Sequence, residues 1–130
     1  EDPMNRGYAA YKSTIQATET DRGREQRAFA LVTGKLDQAA TLAGDPDPAN
    51  VSRVQDALQH NLRLWGVVRE ACLDEANALP LELRRGLVRL ARFTESSTSA
   101  LTGGTGDREI IAVLVEINRN VMAGLSPAPV

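Results

Sequence analysis

The 130-residue chain has one cysteine, Cys72, and one histidine, His60, and that scarcity removes several kinds of chemistry. A single thiol forms no disulfide within the chain. Without a second cysteine or histidine no zinc cluster can assemble, so a reducing compartment is the expected setting. A nucleophile and base pair, or a metal site, would have to rest on carboxylates alone. Aromatic residues make up only 4% of the chain, so an apolar share of 42% must build its core from leucine, valine, isoleucine and alanine, a composition better suited to helices than to a sandwich. No apolar run approaches the roughly 20 residues of a membrane-spanning helix. The longest strongly apolar run is Ile110 to Val115. Charge of one sign is not in excess either: a net of −2 argues against general affinity for nucleic acid or anionic membranes. The start lacks a signal-peptide pattern, Met4 reads as the initiator behind an added remnant of residues 1–3, and a cytoplasmic location is expected.

What is present reads as helices in a single domain, a size at which roughly two-thirds of the unfolded chain's surface can be buried. Tyr8, Tyr11 and Ile15 share one face of a short first helix. Thr20 or Asp21 can cap a second, running to about Ala43, with Ala28, Leu31, Val32, Lys35, Leu36, Ala39 and Leu42 on its inner side. Gly44-Asp45-Pro46-Asp47-Pro48 breaks the chain, because proline lacks an amide donor and pushes the residue before it out of helical dihedrals. Val51, Val54, Leu58, Leu62, Trp65 and Val68 then mark a central helix that continues to Cys72 and is ended by Asn77 and Pro80. From Pro80, well suited to a first helical position, Leu83, Leu87, Leu90, Thr94, Ser97 and Leu101 form a seam whose second half turns polar, until Gly103-Gly104-Thr105-Gly106 stops it. The β-branched run from Ile110 to Val115 could be a buried strand, but Ile110, Leu114, Ile117, Val121 and Leu125 extend a helical stripe past it. That spacing predicts a helix from about Asp107 to Ala123, with Gly124 as its stop and residues 126–130 as a flexible tail. The fold class is therefore all-α, an irregular bundle of four to five helices.

Sites for catalysis are not found. The glycine loop lacks the Lys and Ser/Thr of a phosphate-binding loop, and Asp45 and Asp47 have no calcium-loop spacing, so capping or solvation is their expected role. No enzymatic activity, cofactor or metal is expected. Arg85, Arg89 and Arg92, with Arg84 beside them, line the side of their helix opposite the leucine seam. Residues 80–102 carry four arginines against two glutamates, a local net of +2 that leaves −4 for the rest. This is either a solvated face neutralised by neighbouring acids or a docking surface for an acidic partner or RNA phosphates. Asn61 and Asn118 fall on or beside apolar stripes, and a buried amide without partners costs about 1–3 kcal/mol. Either the two amides meet Trp65 at a helix crossing and fix its register, or each makes separate contacts with backbone or water.

Four collinear blocks carry a family likeness: Tyr8-Ala9-Ala10-Tyr11; Asn61 to Trp65, with Arg63; Leu79-Pro80 with Arg84; and Glu116 to Leu125, with Ile117, Asn118 and Asn120. Together they resemble the FlaF family of flagellar biosynthesis regulators of alphaproteobacteria, over residues 4–125. Leu62 stands where that family commonly has a polar or basic residue, and Arg92-Phe93-Thr94 where it has a more apolar run. The resemblance implies a small helical, non-enzymatic, cytoplasmic protein needed for flagellin production, a flagellin-specific secretion chaperone that cooperates with FlbT. Such a bundle would hold an amphipathic helix of unassembled flagellin in a hydrophobic groove, and Tyr8, Tyr11, Ile15 and Leu101 are the candidate groove residues. The competing reading is a post-transcriptional regulator acting on flagellin mRNA through Arg84, Arg85, Arg89 and Arg92, or through FlbT. Phe93 is the only aromatic residue in that stretch, so base stacking would be poor. A scaffolding partner of FlbT that leaves flagellin unbound is the third reading.

Overall fold

The computed structural model describes the backbone of residues 3–101 and 107–125 and the side chains of residues 23–101 and 107–124. Among these residues there are four helices and no strand: α1 (Pro3–Leu42), α2 (Pro48–Leu73), α3 (Leu81–Leu101) and α4 (Arg108–Leu125). Ile110 to Val115 is thus helical. The glycine loop and the expected tail lie outside the described residues.

One boundary expected from sequence is absent. The short helix of Tyr8 to Ile15 and the helix starting at Thr20 or Asp21 are a single element of 40 residues. A capping residue ends a helix only where the chain turns away, and no proline stands between Ile15 and Ala28. The lone Gly23 costs about 1 kcal/mol relative to alanine, too little to break so long a helix. At roughly 1.5 Å per residue, α1 is about 60 Å long and outruns every other element.

The inner face of α1 keeps the expected Leu36 and Ala39, with Val32, Lys35 and Leu42 half-buried beside them, and departs from the expected one only upstream. Phe29, Thr33, Leu36 and Ala39 are buried, whereas Ala28 is exposed and Leu31 is 64% exposed. The Phe29 ring meets Trp65 edge-on, with centroids 5.9 Å apart and planes at 87°. Seating that large ring inward turns Leu31, two residues on, out to solvent.

The prolyl loop behaves as its sequence predicts. Gly44 takes a left-handed φ of 88°, closing α1 where a side chain would be strained. Asp47 caps α2 by accepting the Ala49 amide proton at 3.0 Å, and Pro48 fills the first helical position. Asp45 accepts from the Asp47 amide and from Asn50 Nδ2, each at 2.9 Å. These donors hold its carboxyl below the usual carboxylate range, the Asp47 amide foremost. At the other end of α2, Asn77 donates to the Ala71 carbonyl at 2.8 Å and accepts the Leu79 amide proton at 2.8 Å. Arg84 reaches back to the carbonyls of Leu79 (3.2 Å) and Asp74 (3.3 Å), binding the α2–α3 turn to the first turns of α3. Pro80 stands one residue ahead of α3, and its carbonyl accepts the Arg84 amide proton at 3.0 Å. Asp107 caps α4 through the Glu109 amide at 2.9 Å. Gly124 does not stop α4, which continues to Leu125.

The helices form a ring in which α1 packs on α2, α2 on α3, and α4 on α1, while α3 and α4 meet only sparsely. Helices α2 and α4, like α1 and α3, therefore face each other across the ring. Two apolar clusters fill it. One gathers Leu36, Ala39, Val54, Ala57, Leu58, Leu101, Ile111, Leu114 and Val115; the other is built on Phe29, Trp65, Cys72, Leu87 and Ala91. Between them, on every helix, stands buried polarity: Thr33 on α1, Asn61 on α2, Thr94 and Thr98 on α3, and Asn118 on α4. The hydroxyls of Thr33 and Thr98 donate one turn back, to the carbonyls of Phe29 (2.6 Å) and Thr94 (2.7 Å).

Candidate functional site

The two asparagines do meet. Trp65 Nε1–H donates to Asn118 Oδ1 at 2.9 Å, and Asn118 Nδ2 donates to Asn61 Oδ1 at 2.9 Å, all three residues being fully sealed from solvent. The chain of hydrogen bonds crosses the ring from α2 to α4. A one-residue rotation of either helix would bury these polar groups unpaired, so the pair specifies register more than it adds stability. Among the described residues, Asn61 Nδ2 and Thr94 Oγ1 are buried side-chain atoms without a protein partner.

The poorly closed α3–α4 seam opens beside this bridge as a groove of about 500 Å³. Leu83, Leu87 and Leu90 form its α3 wall, Ile117 and Val121 its α4 wall, and Glu82 and Asn120 its polar rim. The seam read from sequence as an apolar stripe is therefore only half used internally: Leu87 is buried, whereas Leu83 remains 45% exposed. Gly86 and Gly124 also line the groove, and a Cβ on either would meet no atom within 4 Å. The two glycines enlarge the groove; packing does not demand them. Its volume falls within the ordinary range for binding pockets, about 300–1,000 Å³, enough for a few aliphatic side chains from one face of a helix.

The arginines face elsewhere. A second groove, about 430 Å³, lies between the end of α2 and the first turns of α3, where Arg84, Arg85, Arg89 and Arg92 stand around Cys72, Leu73, Leu81 and Val88. Arg85 pairs with Glu82 one turn earlier at 3.2 Å, on an open surface. Arg89 and Arg92 are exposed, and neither has a polar partner among the described residues. Nearby, Arg69 and Glu95 pair at 2.8 Å. Cys72 is a buried free thiol, as its apolar setting predicts; burial pushes its pKa up, and the Arg84 charge offsets part of that rise.

Leu101 is not groove surface: at 7% exposure it belongs to the first apolar cluster, because α3 ends against α1, α2 and α4 there. The side chains of Tyr8, Tyr11 and Ile15 lie outside the described residues. Of the motif residues, Asn61, Trp65 and Asn118 form the bridge, Ile117 and Asn120 line the α3–α4 groove, and Arg63 is exposed. Sequence reasoning missed Gly86 and Val121 as groove residues. The signal for Gly86 is a small residue one turn from both Leu83 and Leu90 of the leucine seam, and that for Val121 is its place on the apolar stripe of α4.

His60 sits half-buried with Nδ1 3.0 Å from Lys35 Nζ and 3.8 Å from Asp56 Oδ2. No group of three or more metal-ligating side chains occurs among the described residues, and no helix there is long and apolar enough to cross a membrane. Neither the curated proteins nor the solved structures compared with the chain gave a match. The model of one family, described as flagellar protein FlaF, matches residues 8–125. That span includes the whole of α2, α3 and α4, the diagonal Asn–Trp bridge and both grooves, and by this match the chain belongs to the FlaF family of flagellar proteins.

Proposed function

We propose that this flagellar protein is a non-enzymatic, cytoplasmic, flagellin-specific secretion chaperone that holds an amphipathic helix of unassembled flagellin in the α3–α4 groove. The single observation that carries this reading is a helical ring with one seam left open and lined by aliphatic side chains. A filament subunit waiting for export must keep its own apolar helix faces from pairing with other subunits, and a groove of this kind covers such a face. Binding leucine, isoleucine or valine side chains against Leu83, Leu87, Ile117 and Val121 removes apolar area from water on both partners. Positive regulation of flagellin synthesis follows from keeping the product soluble, with FlbT as the cooperating partner.

The test is size-exclusion chromatography and calorimetry of the purified chain with monomeric, polymerisation-incompetent flagellin, using the parent and Gly86→Leu. A Cβ at position 86 meets no atom within 4 Å, the rest of the leucine takes up groove space, and leucine favours the helix over glycine, so the variant is expected to stay folded. Co-elution with the parent that survives moderate salt, and a loss of at least tenfold in affinity with Gly86→Leu, are expected. No association of the parent at micromolar concentration, or equal binding by both chains, overturns the reading.

A further inference from the structure

The groove between α2 and α3 is separate from the α3–α4 groove and differs from it in chemistry. Its apolar part is open: Leu73 is 60% and Leu81 50% exposed, and Val88 lies between them and Cys72. Its polar part is wholly cationic, with Arg85, Arg89 and Arg92 recurring at helical spacing along one face of α3. Arg84 is committed to the Leu79 and Asp74 carbonyls, and Arg85 shares Glu82, which leaves Arg89 and Arg92 without a polar partner among the described residues. Three arginines within two turns repel one another, and the neighbouring Glu95 that could relieve them is taken by Arg69.

We propose that this groove docks an acidic amphipathic helix of a second protein, its carboxylates on Arg85, Arg89 and Arg92 and its apolar residues on Leu73, Leu81 and Val88. From Leu81 to Arg92 the groove follows α3 for roughly 16 Å, about three turns, so a matching partner carries Asp or Glu at i, i+4 and i+7 beside an apolar stripe. Charge complementarity selects this occupant. RNA phosphates would use the arginines but would leave Leu73 and Leu81 against water, and the groove offers no aromatic platform for bases. The two grooves lie on different faces of α3, so the docked helix leaves the α3–α4 groove free.

Fluorescence anisotropy tests this with a panel of labelled 12-residue helical peptides bearing Glu at i, i+4 and i+7 and Leu on the adjacent stripe. The same peptides with Ser for Leu, or with Lys for Glu, and oligouridine RNA serve as comparison probes. Saturable micromolar binding by the Glu/Leu panel is expected, with at least a tenfold loss on Arg89→Glu/Arg92→Glu. It should also weaken severalfold on Leu81→Ser and weaken with salt. The charge-reversed chain should melt at the parental temperature and keep its parental affinity for flagellin, since both arginines are exposed and neither has a polar partner among the described residues. No binding by the panel, equal binding by the Ser peptides, tighter binding by RNA, or indifference to Arg89→Glu/Arg92→Glu each overturns the proposal, and none of these results touches the α3–α4 reading.

Discussion

Asn118 occupies the middle of a relay: its carbonyl oxygen receives the Trp65 indole proton, and its amide nitrogen gives a proton to Asn61, both at 2.9 Å. Replacing Asn118 with leucine removes both bonds at once, leaving the Trp65 N–H and the Asn61 carbonyl oxygen buried without partners. The expected cost is about 2–4 kcal/mol, read from urea or thermal unfolding of the variant against the parent. Asn61→Leu added to it should recover part of that loss, because an apolar pair leaves fewer orphaned groups than a half-broken network. A near-parental melting temperature for Asn118→Leu alone would mean the relay carries no specificity.

Arg84→Lys is expected to behave as a disruptive change despite keeping the charge. The guanidinium spreads its donors between two carbonyls five and ten residues earlier, Leu79 and Asp74, and a single ammonium cannot span both. The loss is about 1–2 kcal/mol in chemical denaturation, with amide exchange rising first in the turn of residues 74–80.

The loop carboxylate gives a pH signature. Asp45 titrates below its ordinary value of 3.8 in the folded chain, so it stabilises the fold above that pH and the contribution fades as pH falls through the lower folded-state value. Asp45→Asn removes the charge that the donors favour. Its melting temperature is expected to lie below the parent's at neutral pH and to converge with it under acid conditions; a gap that widens on acidification would contradict the assignment.

Cys72 should titrate in the opposite sense. Its folded thiol is raised above 9.0 by burial, so the neutral form stabilises the fold below that pH and the contribution is lost as pH climbs through the folded-state value. Thiol labelling at neutral pH is expected to be slow in the native chain and stoichiometric once denaturant exposes the site, with a shallow rise in native rate toward alkaline pH. Fast native labelling would place the thiol at the surface.

Much of this architecture is legible in the chain. The spacing of Val54, Leu58 and Trp65 identifies α2, and Pro46, Asp47 and Pro48 identify its start, because local sterics and capping decide both. The Asn61–Asn118 encounter is one of two arrangements that apolar stripes interrupted by amides allow, and the 2.9 Å hydrogen bond between them selects it. Three features were not legible. Thr20 and Asp21 look like caps but lie within α1, since whether a capping residue is used depends on where the chain goes next. Phe29, not Ala28 or Leu31, enters the core because the position of Trp65 on another helix decides which face turns inward. Leu101 and Leu83 belong to one stripe, yet the first is buried and the second is half open, because which seam of a four-helix ring closes depends on all four helices together.

The relay from Trp65 and Asn61 to Asn118 also works as a cross-brace. Helices α1 and α2 stand like the spine of a book, with α3 and α4 as covers that hardly touch, and the brace pins one cover to the spine at a set angle. One wall of the gap between the covers is thus held from inside the body of the protein, by two amides and an indole that are sealed from solvent.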